Sequence, residues 1–423
     1  MPTGPVGTAV GDDGGRRGPF RSPNFSWYFT GQVISNTGVW FQNLALQLVV
    51  LGATGSAQAL SGITIAQFLP IFLLGIPAGR LLDRVAPRTV LLVTSLASAV
   101  VTASLVFVVT REPDLWLLYA MVGLLGSVQA FERVAAQTII FELVGPDGLS
   151  KAASVSTISL AAARSVGPAL AGLAFQGLGP SACILINAAA YLLVFASRLR
   201  IRPDELHRRA PQAQRRGGDG IKAPGGPGAK ALGGSASGAF RRSRDVNTLL
   251  IVNVVISLLA MNFGLVLTST VNLSYGGDAS AVGAVHTLNA VGAILGGILA
   301  ARRPRVSLRS MIAATSVFGA ALALNAAAPT LLLFLAAAPV LGIAVGYYQG
   351  IVNAAAQESV RPQFIGRMMS LMTMGSYGMV PFGALLMGWV IDASTGRVAL
   401  AVSAVSAFAC LVVVLIRTRP VSR

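Results

Sequence analysis

Hydrophobic and polar positions along this 423-residue chain fall into long blocks rather than the short alternation of a strand-built protein. Apolar runs of about 20 residues, the length a helix needs to cross a hydrocarbon core of about 30 Å, lie near 25–51, 58–78, 89–110, 114–138, 152–176 and 181–197. After one extended polar stretch they resume near 248–271, 280–301, 309–328, 331–352, 366–391 and 396–416. The pattern predicts an all-α integral membrane protein, with twelve transmembrane helices in two six-helix bundles. The bundles are expected over 24–197 and 248–417, with tails at 1–23 and 418–423 and a basic linker over 198–247. The first tail is rich in Gly, Pro and Arg, and the linker carries Gly-Gly-Pro-Gly and Gly-Gly-Ser-Ala-Ser-Gly runs. Such segments cannot bury enough apolar surface to offset ordering entropy, so disorder is expected there, apart from a short basic helix around Asp204 to Arg209.

Composition sharpens this picture. With 54% hydrophobic residues, 11% charged and a mean hydropathy of +0.70, the chain has more apolar surface than a water-soluble domain could bury. A net charge of +17 would suit a nucleic-acid binder only if the cations formed a soluble face interleaved with aromatics. No such face is present, so no nucleic-acid partner is expected. Cys183 and Cys410 lie inside apolar runs and match no CxxC spacing, so packing roles are expected, with no disulfide and no metal.

The cations instead report topology. If the N-terminus is cytoplasmic, all of the 32 Lys and Arg residues except Arg111, Arg164 and Arg397 fall on cytoplasmic segments. The positive-inside rule then predicts both termini in the cytoplasm. Only three of the cations are Lys, which fits a GC-rich bacterial coding sequence and points to a bacterial plasma membrane. The halves also echo one another at a shift of about 216 to 218 positions: Gly79 with Gly297, Glu142-Leu143-Val144 with Glu358-Ser359-Val360, and Gly172 with Gly388. A duplicated six-helix unit accounts for these matches.

Several stretches carry specific chemistry. On the first helix Gln32, Asn36, Trp40, Asn43 and Gln47 recur at intervals of 4, 4, 3 and 4, which places them on one face. Gln129, Arg133 and Gln137 recur every four residues on the fourth, and Tyr348, Gln349 and Asn353 are the polar candidates on the tenth. Polar side chains facing lipid are costly, so these faces are expected to line a cavity or to bond between helices. Arg164 is the one charge near mid-membrane and must meet a partner, a carbonyl or water. Structural glue and a place in a pathway both fit it. Gly167, Pro168 and Gly172 just beyond allow either a flexing joint or a static kink. Glu132 and His286 are the candidate groups for coupling to a proton.

The loop Gly79-Arg80-Leu81-Leu82-Asp83-Arg84-Val85-Ala86-Pro87-Arg88 resembles the signature between the second and third helices of the major facilitator superfamily, departing from it at Ala86 and Pro87. Within that superfamily three stretches resemble the branch of bacterial siderophore and macrolide exporters. They are Phe29 to Gln42, Ala163-Arg164-Ser165-Val166-Gly167-Pro168-Ala169-Leu170-Ala171-Gly172, and Gly366-Arg367-Met368-Met369-Ser370-Leu371 with Pro381-Phe382-Gly383-Ala384. Where the branch shows Pro-Ala-Arg-Gln, this chain has Val134-Ala135-Ala136-Gln137.

The resemblance implies that helices one, four, seven and ten line a central cavity. It also implies that Asp83 latches onto the start of the eleventh helix near Gly366 and Arg367 when the cytoplasmic side is closed, with Arg133 as a cation partner. Gly79 would let helices approach, and Arg84 and Arg88 would anchor to lipid phosphate or the other half. The implied function is secondary active export of a small amphipathic, drug- or siderophore-like molecule by alternating access with proton antiport. Import of a small metabolite, and a non-transporting sensor or scaffold, remain as alternatives on the same fold. An ATP-driven pump is disfavoured because no G-x-x-x-x-G-K-[ST] loop occurs, and an intramembrane enzyme because no HExxH does. The chain is therefore expected to be no enzyme, to need no cofactor and to act as a monomer, with its substrate, protons and the lipid bilayer as partners.

Overall fold

A computed structural model describes residues 22–110, 114–206, 244–303, 308–360 and 365–418. Every regular element among them is helical. α1 (Pro23–Thr54) starts with Ser22 accepting from the Phe25 amide and Pro23 in its first turn, and stops at Gly55, whose φ of 62° suits a residue without a side chain. α2 (Ala57–Leu82) begins on Ser56, and α3 (Pro87–Thr110) begins on a proline. Pro87 is one of the two departures from the family loop, and its fixed φ serves as the first residue of α3.

A single helical stretch, Leu115–Leu199, is broken by non-helical backbone at Gly145 (φ 66°) and Gly179 (φ 80°). Those breaks divide it into α4 (115–144), α5 (146–178) and α6 (180–199). The second half starts with α7, which runs as Arg244–Leu259, breaks, resumes over Phe263–Ser269 and ends in a π-helical turn, Thr270–Ser274. α8 (Ala279–Ala301), α9 (Leu308–Ala327), α10 (Leu331–Glu358), α11 (Ile365–Ala393) and α12 (Gly396–Thr418) follow.

Ten stretches among the described residues are long and apolar enough to cross a membrane. Two features separate ten from the expected twelve. The polar stripe keeps α1 out of the ten, and the parts of α5 and α6 beyond Ser159 are counted together although Gly179 divides them. Within each half the helices pack closely, α1 and α3 on the α4–α6 stretch, α10 on α8 and α12 on α9. Between halves the contacts run from α2 to α11 and from the α4–α6 stretch to α8.

The expected linker begins too early. Arg198 is 2% exposed inside the first half, Ile201 is buried, and a 3-10 turn covers Pro203–Glu205. Charge alone suggested a solvated segment, but the Arg198 guanidinium is satisfied by Glu132 Oε1 at 2.7 Å, the Leu91 carbonyl at 3.0 Å and the Ser95 hydroxyl. A buried charge is tolerated when it is paired and hydrogen-bonded in this way. The remainder of the linker, including Arg208 and Arg209 of the expected short helix, and the two tails beyond Ser22 and Thr418 lie outside the described residues.

Candidate functional site

The two ends of the bundle differ in charge. One holds Arg80, Arg84, Arg88, Arg198, Arg200, Arg202, Arg302 and Arg303, whereas the other has Arg397 as its one described cation. The halves are joined at this arginine-poor end. Asp392, in the last turn of α11, accepts from the Ser56 hydroxyl at 2.5 Å and from the amides of Ala57 and Gln58 at 2.6 and 3.0 Å. These donors are the N-terminus of α2, a favourable place for an anion. Across the bundle, Gln176 near the end of α5 donates to Asp278 at 2.9 Å, and Asp278 caps α8 by accepting from Ala281 N at 2.9 Å. The carboxyl group of Asp278 is held below its ordinary range, first by that amide and then by the Ser280 hydroxyl.

Glycines one turn earlier make both contacts possible. A Cβ on Gly172 would lie 2.5 Å from the Ala279 carbonyl oxygen and 3.2 Å from Gly283 Cα, and one on Gly388 would lie 2.9 Å from the Ala57 carbonyl oxygen.

Deeper in, the halves are bridged by side chains. Thr268 on α7 donates to Gln47 Oε1 on α1 at 2.7 Å, and its oxygen lies 3.0 Å from His286 Nε2 on α8. A hydroxyl has one hydrogen, so with Gln47 receiving it His286 donates through Nε2. The Trp40 indole lies 6.0 Å from the His286 ring, centroid to centroid, and presses on α5, where a Cβ on Gly167 would come within 2.6 Å of it. The break before Phe263 sets Thr268 at this point.

The α1 stripe leads from the bridge toward the arginine-rich end. Gln47, Asn43, Trp40, Asn36 and Gln32 are all half-buried, and Gln32 donates to Asn36 at 3.2 Å. Arg164 is exposed and lies one turn before Pro168, whose carbonyl faces Gly283 on α8. On α8, Thr287 Oγ1 and Asn289 Nδ2 are buried without a hydrogen-bond partner.

Other expected residues are placed differently. Tyr348 is not in the cavity wall: it is buried in its own half, stacked on Phe318 at 5.2 Å. Asn353, Gln137 and Arg133 are exposed, and Gln129 donates to Tyr191 within the first half at 3.3 Å. Glu132 is engaged by Arg198. Arg88 caps the end of α6 through the Leu199 and Ile201 carbonyls, where a cation complements the helix dipole. Gly79 faces open space rather than a neighbouring helix. Asp83 caps α2 and is exposed, as is Arg84. From Thr64 onward Ala78 is the one buried residue of α2, so α2 is covered at its first turns and bare along its second half. Gly366 and Arg367 begin α11.

Sequence reading missed Ser56, Gln176, Asp278 and Asp392. A usable signal existed, since Gln176 and Asp392 differ by the same 216 positions as Gly172 and Gly388.

The fold has counterparts among known proteins. The sequence profile of the Major Facilitator Superfamily matches residues 28–380 and, again, 249–423. The chain belongs to this superfamily. Its facilitator relatives include macrolide efflux protein A of Streptococcus pyogenes, 22% identical over 87% of this chain and 89% of the relative. The staphyloferrin A transporter of Staphylococcus aureus is 22% identical over 86% and 89%. This facilitator therefore stands with the efflux and siderophore branch. Among solved structures it resembles the nucleoside transporter NupG (TM-score 0.67, 11% identity, 94% and 99% of the two chains). It also resembles a bacterial homologue of the iron transporter ferroportin in an inward-facing state (TM-score 0.67, 14% identity, 94% and 99%). At these identities the structures speak for the fold alone. The facilitator is thus a transporter, a class distinct from enzymes, and a multi-pass protein of the bacterial inner membrane.

Proposed function

We propose that this facilitator exports a small amphipathic molecule by alternating access in exchange for protons. The observation that carries the reading is the Gln47–Thr268–His286 bridge beneath Trp40, at the point where the two halves meet. It joins the halves, and the polar α1 stripe runs from it toward the arginine-rich end. Amide, indole and guanidinium groups on one face, beside apolar helix surface, suit a cargo with both polar and apolar parts. The arginine-rich end is assigned to the cytoplasm by the positive-inside rule, so the state described here takes cargo from inside. Relatives named for macrolide efflux and staphyloferrin transport support the outward direction and this cargo class.

His286 is the proposed coupling group. In the closed arrangement the named contacts of the ring, Thr268 and Trp40, carry no negative charge to pair with a second proton, which makes that charge unfavourable there. Opening of the arginine-poor end would wet the ring, so external protons would favour the outward-facing state. Glu132 is not assigned this role, because it is bonded to Arg198 inside the first half, away from the seam between the halves. Asp83 is proposed to meet the α11 N-terminus at Gly366 and Arg367 once the cytoplasmic side closes, with Arg133 beside it. The transporter acts as a monomer with both termini in the cytoplasm.

Inverted vesicles loaded with a panel of macrolides, siderophores and cationic dyes test the proposal under an imposed pH gradient. Gradient-dependent uptake of at least one compound is expected, and His286→Gln should keep gradient-free exchange of that compound while losing accumulation. No gradient-dependent uptake across the panel would overturn it.

A further inference from the structure

We infer that α2 and α11 form one two-ended latch, in which each helix carries at its C-terminal end a carboxylate for the other's N-terminus. One engagement is on the page: Asp392, in the last turn of α11, sits on Ser56, Ala57 and Gln58 at the start of α2. The other end of the pair has the same parts in reverse. Asp83 is the C-cap of α2, and α11 starts at Ile365. This second engagement rests on the proposed role of Asp83 when the arginine-rich end closes.

The physics favours a swap. An anion at the C-terminus of its own helix faces the negative end of the dipole, and at a foreign N-terminus it faces the positive end. Asp83 and Asp392 are both in the unfavourable place on their own helix, so each gains by crossing to its partner. Here Asp392 has crossed, while Asp83 remains exposed on its own helix. Because α2 and α11 rock as rigid bodies in alternating access, the movement that brings one carboxylate to a helix start withdraws the other. The two engagements then offset each other. The two end states stay near balance, as a ligand-driven two-state device requires.

Gly388 sharpens the assignment. It lies one turn before Asp392 and lets the backbone of α11 approach the first turn of α2, so the anion reaches the amides and not merely the serine hydroxyl. Arg397, the nearest cation along the chain, is held by the Ala326 and Ala327 carbonyls at the end of α9. Asp392 therefore answers to α2 rather than to Arg397.

The test uses the full-length transporter in lipid nanodiscs, with spin labels reporting the separation of the halves at each end. Asp392→Asn should lower the population closed at the arginine-poor end about three- to tenfold. Asp83→Asn should raise it by a similar factor, and the double variant should return close to the wild-type ratio. Ser56→Gly, which keeps a tolerated helix cap but removes one donor, should act in the direction of Asp392→Asn with a smaller shift. An unchanged ratio in Asp392→Asn alongside a shift in Asp83→Asn would overturn the two-ended latch and leave the Asp83 reading intact. An unchanged ratio in Asp83→Asn would remove that reading, and the pairing with it.

Discussion

The two contacts that close the arginine-poor end are related by the internal repeat yet carry their charge on opposite partners. Where α11 meets α2, the carboxylate belongs to the arriving helix: Asp392 crosses between halves to reach three donors. Where α5 meets α8, it belongs to the receiving helix: Asp278 caps its own helix α8, and Gln176 reaches across to it from the other half. Separating the first pair strips a carboxylate from a helix N-terminus, whereas separating the second leaves the cap of α8 in place. The two contacts thus share the backbone approach at Gly172 and Gly388 and differ in chemistry, so under the proposed latch the first is state-dependent and the second mainly packing.

The sharpest way to break this comparison is steric, because both contacts depend on a missing side chain. Gly172→Leu and Gly388→Leu should each prevent closure and abolish transport, since added bulk in a packed contact costs about 1–3 kcal/mol or more. With alanine the two should separate. The tighter site at Gly172, where a Cβ would lie 2.5 Å from a carbonyl oxygen against 2.9 Å at Gly388, should lose more of its closed population. Spin-label distances at the arginine-poor end, read beside vesicle uptake, check the order; equal loss at the two sites would mean that the contacts are not graded by packing.

Next in size comes the bridge that both contacts protect. Thr268→Val keeps the shape but leaves Gln47 and His286 without their shared partner, and a hydrogen bond is worth about 0.5–1.5 kcal/mol net. A roughly tenfold or greater loss of gradient-driven uptake is expected, with little change in folding measured by thermal unfolding. A smaller effect should follow from Gln176→Glu, which sets a second carboxylate against Asp278. If α5–α8 is mainly packing, the closed population should fall by less than in Asp392→Asn, and the same spin-label pairs report it.

The sequence discloses these parts unevenly. The helices, the two halves and the α1 stripe are legible because lipid imposes long apolar periods and excludes stray polar groups, which leaves a strong one-dimensional record. Trp40, Gly167 and His286 each stand out in the sequence, but their meeting depends on how three helices cross. Tyr348 is hidden for a related reason: helical spacing gives a face, and only packing shows that it looks at Phe318. Arg198 resembles a solvated linker residue because charge is the usual mark of a linker, and its pairing with Glu132 spans 66 positions. The latch was hidden most completely. Asp392 is an unremarkable acid at a helix end, and its partners are mainly backbone amides, which carry no residue signature.

The smallest expected effect separates the two carboxylates by pH. Asp278 has a folded pKa below its ordinary value, chiefly through the Ala281 amide. Its contribution to stability is therefore fully present above the unfolded value of about 3.9 and is lost as pH falls through the lower folded value. Across the range in which a proton gradient operates, roughly pH 5 to 8, the cap of α8 should not change. Thermal unfolding of wild type and Asp278→Asn in detergent should then differ by a constant amount over that range and converge only in stronger acid. A difference that shrank between neutral pH and about pH 5 would instead make Asp278 a proton-responsive group. The α5–α8 contact would then share the state dependence assigned here to α2 and α11.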